Sequence, residues 1–306
     1  VAVVGVGYLG RFHAQKYAAL PECRLVGVVD RDAARAQEVG AELGVPAHTE
    51  LAEVLGQVQA LSIAVPTAAH HAVARACLAE GKHCLVEKPL AATVEQAAEL
   101  VSLAQRKGVL LQVGYLERFN PAVVACRPRI GRPQFIETLR IASFSERGAD
   151  VDVVLDLMSH DLDLVLSLTR SPARDLHAVG ISLMTDSTDL ANVRLMFENG
   201  CVANLTASRV SNKAERKLRL FQPDAYFSLD LALPSARVYT RAGGEGAPLK
   251  EETFALSKGD ALLAEVQAFV EAVRAGHAPA AGGEEGLQAM QLAARIIRDI
   301  QRNRFP

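Results

Sequence analysis

At 306 residues, 50% hydrophobic and 22% charged, the chain is long enough for two hydrophobic cores, and two domains of a soluble globular protein are expected. A formal net charge of -2 gives no general attraction to nucleic acid or to an anionic membrane, so small molecules are the favoured partners, with room for a local basic pocket that takes a phosphorylated ligand. The five cysteines, Cys23, Cys77, Cys84, Cys126 and Cys201, are odd in number, widely spaced and without a C-x-x-C pair, which excludes a disulfide scaffold or zinc knuckle and fits a reducing cytoplasm. No apolar run reaches the roughly 18 residues of a membrane span. The chain opens on a strand pattern and not on a leader, and because its first residue is Val a few residues upstream are expected.

Residues 1–4, 24–29, 61–65, 84–86 and 109–113 are short apolar runs, as expected for strands buried on both faces of a parallel sheet. Helical spacing fills the gaps at 11–20, 32–43, 69–80 and 93–107, the last opened by Thr93 and Gln96 as a capping box. Alternation of this kind predicts a doubly wound α/β domain over 1–116. Beyond it, strand patterns at 135–141, 190–197, 202–208, 218–221 and 226–231 follow one another with little helix between, and Glu198-Asn199-Gly200 signals a tight hairpin. An α+β second domain over 117–306 is expected, with a largely antiparallel sheet covered on one face by a helix at 152–168. Residues 242–246 read as a loop, and helices at 260–275 and 284–302 close the chain, with the option of packing back on the first domain.

Gly5-Val6-Gly7-Tyr8-Leu9-Gly10 follows a strand and opens a helix. The glycines permit the tight turn, close approach of a pyrophosphate and helix-on-strand packing. Asp30 lies about 20 residues further on, where a carboxylate accepts from the adenosine ribose hydroxyls and repels a 2′-phosphate, so NAD is favoured over NADP. Arg31 pulls the other way, toward that phosphate or toward stacking on adenine. A glycine turn that binds nothing is the plain alternative.

Glu87-Lys88-Pro89 falls at the carboxyl edge of the sheet, where ligands of open α/β folds bind. An ammonium from Lys88 there stabilises an alkoxide as hydride leaves a carbinol carbon; an exposed turn with a salt bridge is the bland reading. On the helix at 152–168, Asp152, Asp156, Ser159, His160, Asp163 and Ser167 form one polar stripe on an otherwise apolar cylinder, as a cleft-lining or a solvent-facing surface would. Asp156 and His160, spaced i, i+4, point the same way and pair a base of suitable pKa with a carboxylate. His70 and His71 diverge by roughly 100° on their helix and cannot chelate one metal together, so no metal is expected. His70, after the third strand, is a candidate for cofactor support. His13, His48, His83, His177 and His277 read as structural or solvated.

Taken in order, the glycine fingerprint, Pro66-Thr67-Ala68-Ala69-His70, Gly81 through Pro89 and Asp156-x-x-x-His160 resemble the glucose-fructose oxidoreductase, inositol dehydrogenase and MocA (Gfo/Idh/MocA) family over essentially the whole chain. The resemblance implies a Rossmann domain carrying NAD on Gly5, Gly7, Tyr8, Leu9, Gly10, Asp30, Arg31, Pro66, Thr67, His70, Glu87 and Lys88. It implies catalytic roles for Lys88, Asp156 and His160 at a sugar or polyol, with association as dimers or tetramers. The family often places a Gly-Gly pair before this helix, whereas this chain has Gly148-Ala149-Asp150-Val151. Residues 114–121 and 147–158 look most like the UDP-N-acetylglucosamine 3-dehydrogenase branch linked to lipid A synthesis. Arg118, Asn120, Arg140 and Arg147 then become candidate donors to a nucleotide-sugar diphosphate, or else ordinary salt-bridge and loop residues. The rival readings are an inositol or other polyol dehydrogenase, and a non-catalytic dinucleotide sensor with no use for Lys88, Asp156 and His160.

Overall fold

The computed structural model describes residues 1–145, 151–243 and 247–303. In chain order its elements are β1 (Ala2–Val4), α1 (Tyr8–Ala19), β2 (Gly27–Val29), α2 (Ala33–Leu43), β3 (Ala47–His48), α3 (Ala52–Leu55), β4 (Ala60–Ile63), α4 (Thr67–Ala79), β5 (His83–Glu87), α5 (Val94–Lys107) and β6 (Leu111–Gly114). There follow α6 (Pro121–Cys126), β7 (Phe135–Ser143), a π-helical turn (Val154–Met158), α7 (Ser159–Thr169), β8 (Ala173–Ile181), β9 (Leu190–Phe197), β10 (Val202–Ser211), β11 (Glu215–Gln222), β12 (Ala225–Asp230), β13 (Ser235–Arg241), β14 (Leu249–Phe254), α8 (Ala261–Ala275) and α9 (Gly283–Arg302). The chain divides into two compact units, Val1–Leu116 with Asp260–Gln288, and Glu117–Gly259 with Ala289–Pro306.

In the first unit the strands are all parallel, in the order β3-β2-β1-β4-β5-β6. The sheet grows outward from β1 to β3, then restarts on the other side of β1 with β4. That reversal makes a switch point beside the carboxyl ends of β1 and β4, where ligands of such sheets bind. Val3, Leu61, Ile63, Leu85 and Val86 are all fully buried, because helices cover both faces of a parallel sheet. Asp32 caps α2 by accepting from the Ala34 and Arg35 amides, and Gly44 ends it in the left-handed region at φ 66°. Thr93 caps α5 through the Gln96 amide, but the Gln96 Oε1 has no hydrogen-bond partner among the described residues, so half of the expected capping box forms. Helix α8 belongs to this unit: its Val266, Phe269 and Val270 share a core with Val3, Ala14, Tyr17 and Val28.

The second unit is built on an eight-stranded sheet ordered β14-β13-β12-β11-β7-β10-β9-β8. Its neighbours are antiparallel except for β10 with β7, which run parallel, so the sheet is mixed. The hairpin between β9 and β10 turns at Gly200, with φ 86°, as the Asn-Gly pair predicts. One face carries Ile136, Val193, Leu205, Leu218, Phe227 and Val238 into a core shared with Leu162, Val165 and Leu168 of α7 and Leu292 and Ile296 of α9. On the other face Phe135, Phe221, Tyr226 and Tyr239 form an aromatic row with ring centroids 5.9, 4.5 and 5.3 Å apart. All five cysteines are free thiols. Among the described residues no helix is long and apolar enough to cross a membrane.

Candidate active site

The glycine turn joins β1 to α1, and each glycine is there for a different reason. Gly5 sits at φ 81°, and a Cβ on Gly10 would fall 1.7 Å from the Gly5 carbonyl oxygen, so both are fixed by the protein's own packing. A Cβ on Gly7 meets nothing within 4 Å. Protein packing does not require glycine there, which fits the close approach of a pyrophosphate. Gly7 is also the N-cap of α1 and supplies no side-chain cap, which leaves first-turn amides and the positive helix end for a pyrophosphate. Tyr8 is 70% exposed and meets Phe12 edge to face; Leu9 is half-buried.

Asp30, at the end of β2, is 9% exposed. Its Oδ2 accepts the Val6 amide of the glycine turn at 2.9 Å, and its Oδ1 accepts the Asp32 amide at 3.0 Å. A carboxylate offers about four acceptor sites, so capacity for ribose hydroxyls remains. The residues fit NAD: a bare helix end for the diphosphate and an anchored carboxylate for the ribose. Arg31 is exposed. The guanidinium beside the carboxylate comes from Arg35, 3.5 Å from Asp30 Oδ1, a residue one helical turn further on that the sequence reading did not name.

Pro66 and Thr67 start α4 directly after β4. His70, 1% exposed, lies between two carbonyl oxygens, Nδ1 2.7 Å from Pro89 and Nε2 2.8 Å from Val65, and so ties the loop after β4 to the loop after β5. Lys88 is half-buried and precedes a cis peptide bond to Pro89. The Glu87 side chain turns back into the unit: Oε1 accepts from His13 Nε2 at 2.9 Å and Oε2 accepts the Lys88 amide at 3.3 Å. His13, read as structural or solvated, is 1% exposed, and with Glu87 and the fully buried Glu265 it forms a compact polar cluster. A surface cavity lined by Val1, Cys23, Arg24, Gln59, Phe269 and Arg274 lies beside the start of β1 and contains none of the nominated residues.

In the second unit, Asp156 lies in the π-helical turn and His160 in the first turn of α7, both half-buried. Such a turn inserts one residue into a helix and recurs at functional sites. Its start is pinned: the Val153 amide donates to the Thr188 carbonyl at 3.0 Å, the Asp152 carboxylate accepts the Val154 amide at 2.9 Å, and Arg209 donates to the carbonyls of Thr188 and Val151. Arg209 in turn lies 3.6 Å from Asp189, which accepts the amides of Leu183, Met184 and Thr185.

The polar stripe does not survive as one face. Asp163 is 1% exposed and grips Arg118 through both oxygens, at 2.6 and 2.7 Å. Asp161 does the same to Arg140, at 2.9 Å twice, and Glu117 takes the remaining Arg140 nitrogen at 2.9 Å. Burial pushes the Asp161 carboxyl above its ordinary value even against Arg140, and its two carboxylate neighbours hold the Arg140 guanidinium above its own against the cost of burial. Of the two readings of Arg118 and Arg140, the salt-bridge one matches the geometry: both are internal cations paired with buried carboxylates. Asn120 caps α6 through the Ala122 amide and donates to Glu117 and the Leu231 carbonyl, which makes it part of the same scaffold. Arg147 lies outside the described residues.

An all-parallel sheet with a bare glycine turn and an acidic second-strand end, followed in sequence by a mixed-sheet unit with a His/Asp helix, defines a dinucleotide-dependent oxidoreductase. Residues 1–115 match the oxidoreductase family with an NAD-binding Rossmann fold, and residues 129–226 match the GFO/IDH/MocA C-terminal domain. The chain is 41% identical over 298 residues, 96% of its own length and 95% of the relative's, to the UDP-N-acetylglucosamine 3-dehydrogenase of Acidithiobacillus ferrooxidans. It is 29% identical over 324 residues, 97% and 93% of the two lengths, to inositol 2-dehydrogenase 1 of Saccharopolyspora erythraea. The solved structure of the A. ferrooxidans enzyme superposes with a TM-score of 0.93 at 39% identity, covering 98% of this chain and 97% of that one. The chain belongs to the Gfo/Idh/MocA oxidoreductase family. It is an NAD-dependent enzyme acting on CH-OH groups.

Proposed function

We propose that the enzyme oxidises the C3 hydroxyl of UDP-N-acetylglucosamine to a ketone. The observation that carries this reading is the 41% identity to a UDP-N-acetylglucosamine 3-dehydrogenase across 96% of the chain. Bound NAD supplies the hydride acceptor. His160 takes the hydroxyl proton as general base. The role given to the Lys88 ammonium is to steady the negative charge that develops as hydride leaves. Asp156 orients His160 or a neighbouring hydroxyl. A 3-keto product of this kind is chemically suited to an aminotransferase, which supports a place in diamino-sugar lipid A synthesis in the cytoplasm.

The test is NADH formation with UDP-N-acetylglucosamine against a panel of inositols and free sugars. Lys88→Ala should lower kcat about 100-fold or more. Turnover of an inositol instead would favour the reading suggested by the 29% identity to an inositol 2-dehydrogenase and would discard the nucleotide sugar. Equal turnover by Lys88→Ala and the native chain would remove Lys88 from the reaction.

We also propose that the enzyme is a homo-oligomer associating through the aromatic row of Phe135, Phe221, Tyr226 and Tyr239, an apolar strip on an uncovered sheet face. The doubly charged variant Phe221→Glu/Tyr226→Glu should halve the mass seen by light scattering, or reduce it further; an unchanged mass would rule the row out.

A further inference from the structure

The residues around Glu87 form a buried chain of polar groups with no role in the reading above. His13 stands on α1, three positions beyond Gly10, and is 1% exposed. Its Nε2 is 2.9 Å from Glu87 Oε1, and its Nδ1 is 3.2 Å from the Ser62 hydroxyl, which is 2.9 Å from the Tyr17 hydroxyl. A carboxylate only accepts, so Nε2 carries a proton and donates to Glu87. Glu265 of α8, wholly buried, brings a second carboxylate to within 4.8 Å of the ligand atoms of both. Gln112 of β6 adds its amide to the Glu265 carbonyl at 3.5 Å.

The Glu87 carboxylate lies close against the backbone of β6. Gly114 pairs with Glu87 across β5 and β6, and a Cβ on it would press on all of the carboxylate's atoms at 3.0 Å. Glu87 Oε2 then takes the Lys88 amide. The glycine-turn helix and the end of β5 are thus joined through a single imidazole, two hydrogen bonds from the Lys88 amide, with Glu265 of α8 close beside it. A proton relay is the rival role for such a chain. Tyr17, at its far end, is 0% exposed and burial pushes its phenol up, so the chain runs inward and holds an orientation.

We infer that His13 is a positioning residue for Lys88: by fixing the Glu87 carboxylate from Nε2 it sets the backbone and hence the ammonium of Lys88. The inference rests on the role given to Lys88 above, so its test includes a readout that needs neither substrate nor turnover. Full-length His13→Gln and His13→Asn are compared with the native chain. Gln places an amide nitrogen near the position of Nε2 and still reaches Glu87, whereas Asn reaches only the Ser62 side. Competitive amine labelling against pH, read at Lys88 by peptide mass spectrometry with Lys107 and Lys250 as references, should show a midpoint moved by about half a unit or more in His13→Asn and restored in His13→Gln. With substrate, kcat should fall about tenfold in His13→Asn while KM for NAD stays within about threefold.

A merely structural His13 lowers thermal stability in both variants and leaves the labelling of Lys88 alone; that result overturns the inference, as does identical behaviour of Gln and Asn. Stoichiometric zinc or manganese in the purified native protein would also overturn it, because Nε2 would then be a ligand and not a donor. Failure of every substrate with the labelling shift intact would count against the proposed reaction and leave the His13 assignment standing.

Discussion

Single residues in this chain are set by what surrounds them more than by their type. Asp189 is the clearest case: burial alone would raise its carboxyl, but the Met184, Thr185 and Leu183 amides and the Thr185 hydroxyl pull it down to about 2 from an ordinary 3.8. A folded value below the unfolded one means stability that is fully present above the unfolded value and lost as pH falls through the folded one. Asp189→Asn should therefore cost about 2 kcal/mol at neutral pH, with the difference from the native chain fading between about pH 4 and pH 2. Urea midpoints at pH 7 and pH 3 check this; an equal difference at both would be the wrong result. Because Asp189 and Arg209 also anchor the start of the π-helical turn, the variant reports on the support of Asp156. Residue roles were partly legible in the sequence. Gly10, His13, Ala14 and Tyr17 are the buried residues of α1, the i, i+3, i+4, i+7 spacing of a core face, so the burial of His13 was open to reading. Its neighbour in space, Glu265, lies next to Val266 on the buried face of α8 and carried the same signal. Arg35 gave none, since its place beside Asp30 depends on how β2 runs into α2.

At the scale of elements, sequence patterning finds β7 and β9 to β12 of the eight-stranded sheet and the buried edge strand β6 of the other, and it misses the internal β13 along with most of the outer strands. β14, Leu249–Phe254, is almost wholly exposed, and β8, Ala173–Ile181, buries only Ala178. These are the outer strands of the eight-stranded sheet. Edge strands show one face or none to the core and carry charge that discourages further pairing, so apolar alternation is missing where they form. The two-residue β3 edges the other sheet for the same reason. The helix at 152–168 was legible as a helix but not as two parts, because a π-helical turn has no compositional mark. What the polar stripe concealed was electrostatic: Asp161 and Asp163 face inward because buried guanidinium groups await them. Arg118→Met should destabilise the second unit by about 3–5 kcal/mol, since it leaves Asp163 buried without its cation, and adding Asp163→Leu should recover most of that loss. Urea denaturation of the single and double variants measures it; equal loss in both would mean that packing and not charge is the issue.

At the scale of the molecule, neither unit is a continuous stretch of chain. The core of the first takes Val266, Phe269 and Val270 from α8, side chains whose burial is worth roughly 2 kcal/mol each. Together they approach the whole stability of a small domain, on the order of 5–15 kcal/mol. A fragment ending at Leu116 should therefore give a poorly dispersed amide NMR spectrum, and the addition of 260–288 through a flexible linker should restore it; a well-dispersed spectrum from the short fragment would contradict the shared core. The interleaving also orders events in time. The helix that completes the core around the glycine turn emerges from a ribosome only after the roughly 140 residues between Leu116 and Asp260, on the order of 10 s after that turn's own sheet. The second unit waits too, for Leu292 and Ile296 in the last helix. The nascent chain therefore holds two unfinished cores until α8 has been made, and a nonsense codon before α8 leaves neither half with its full apolar cover.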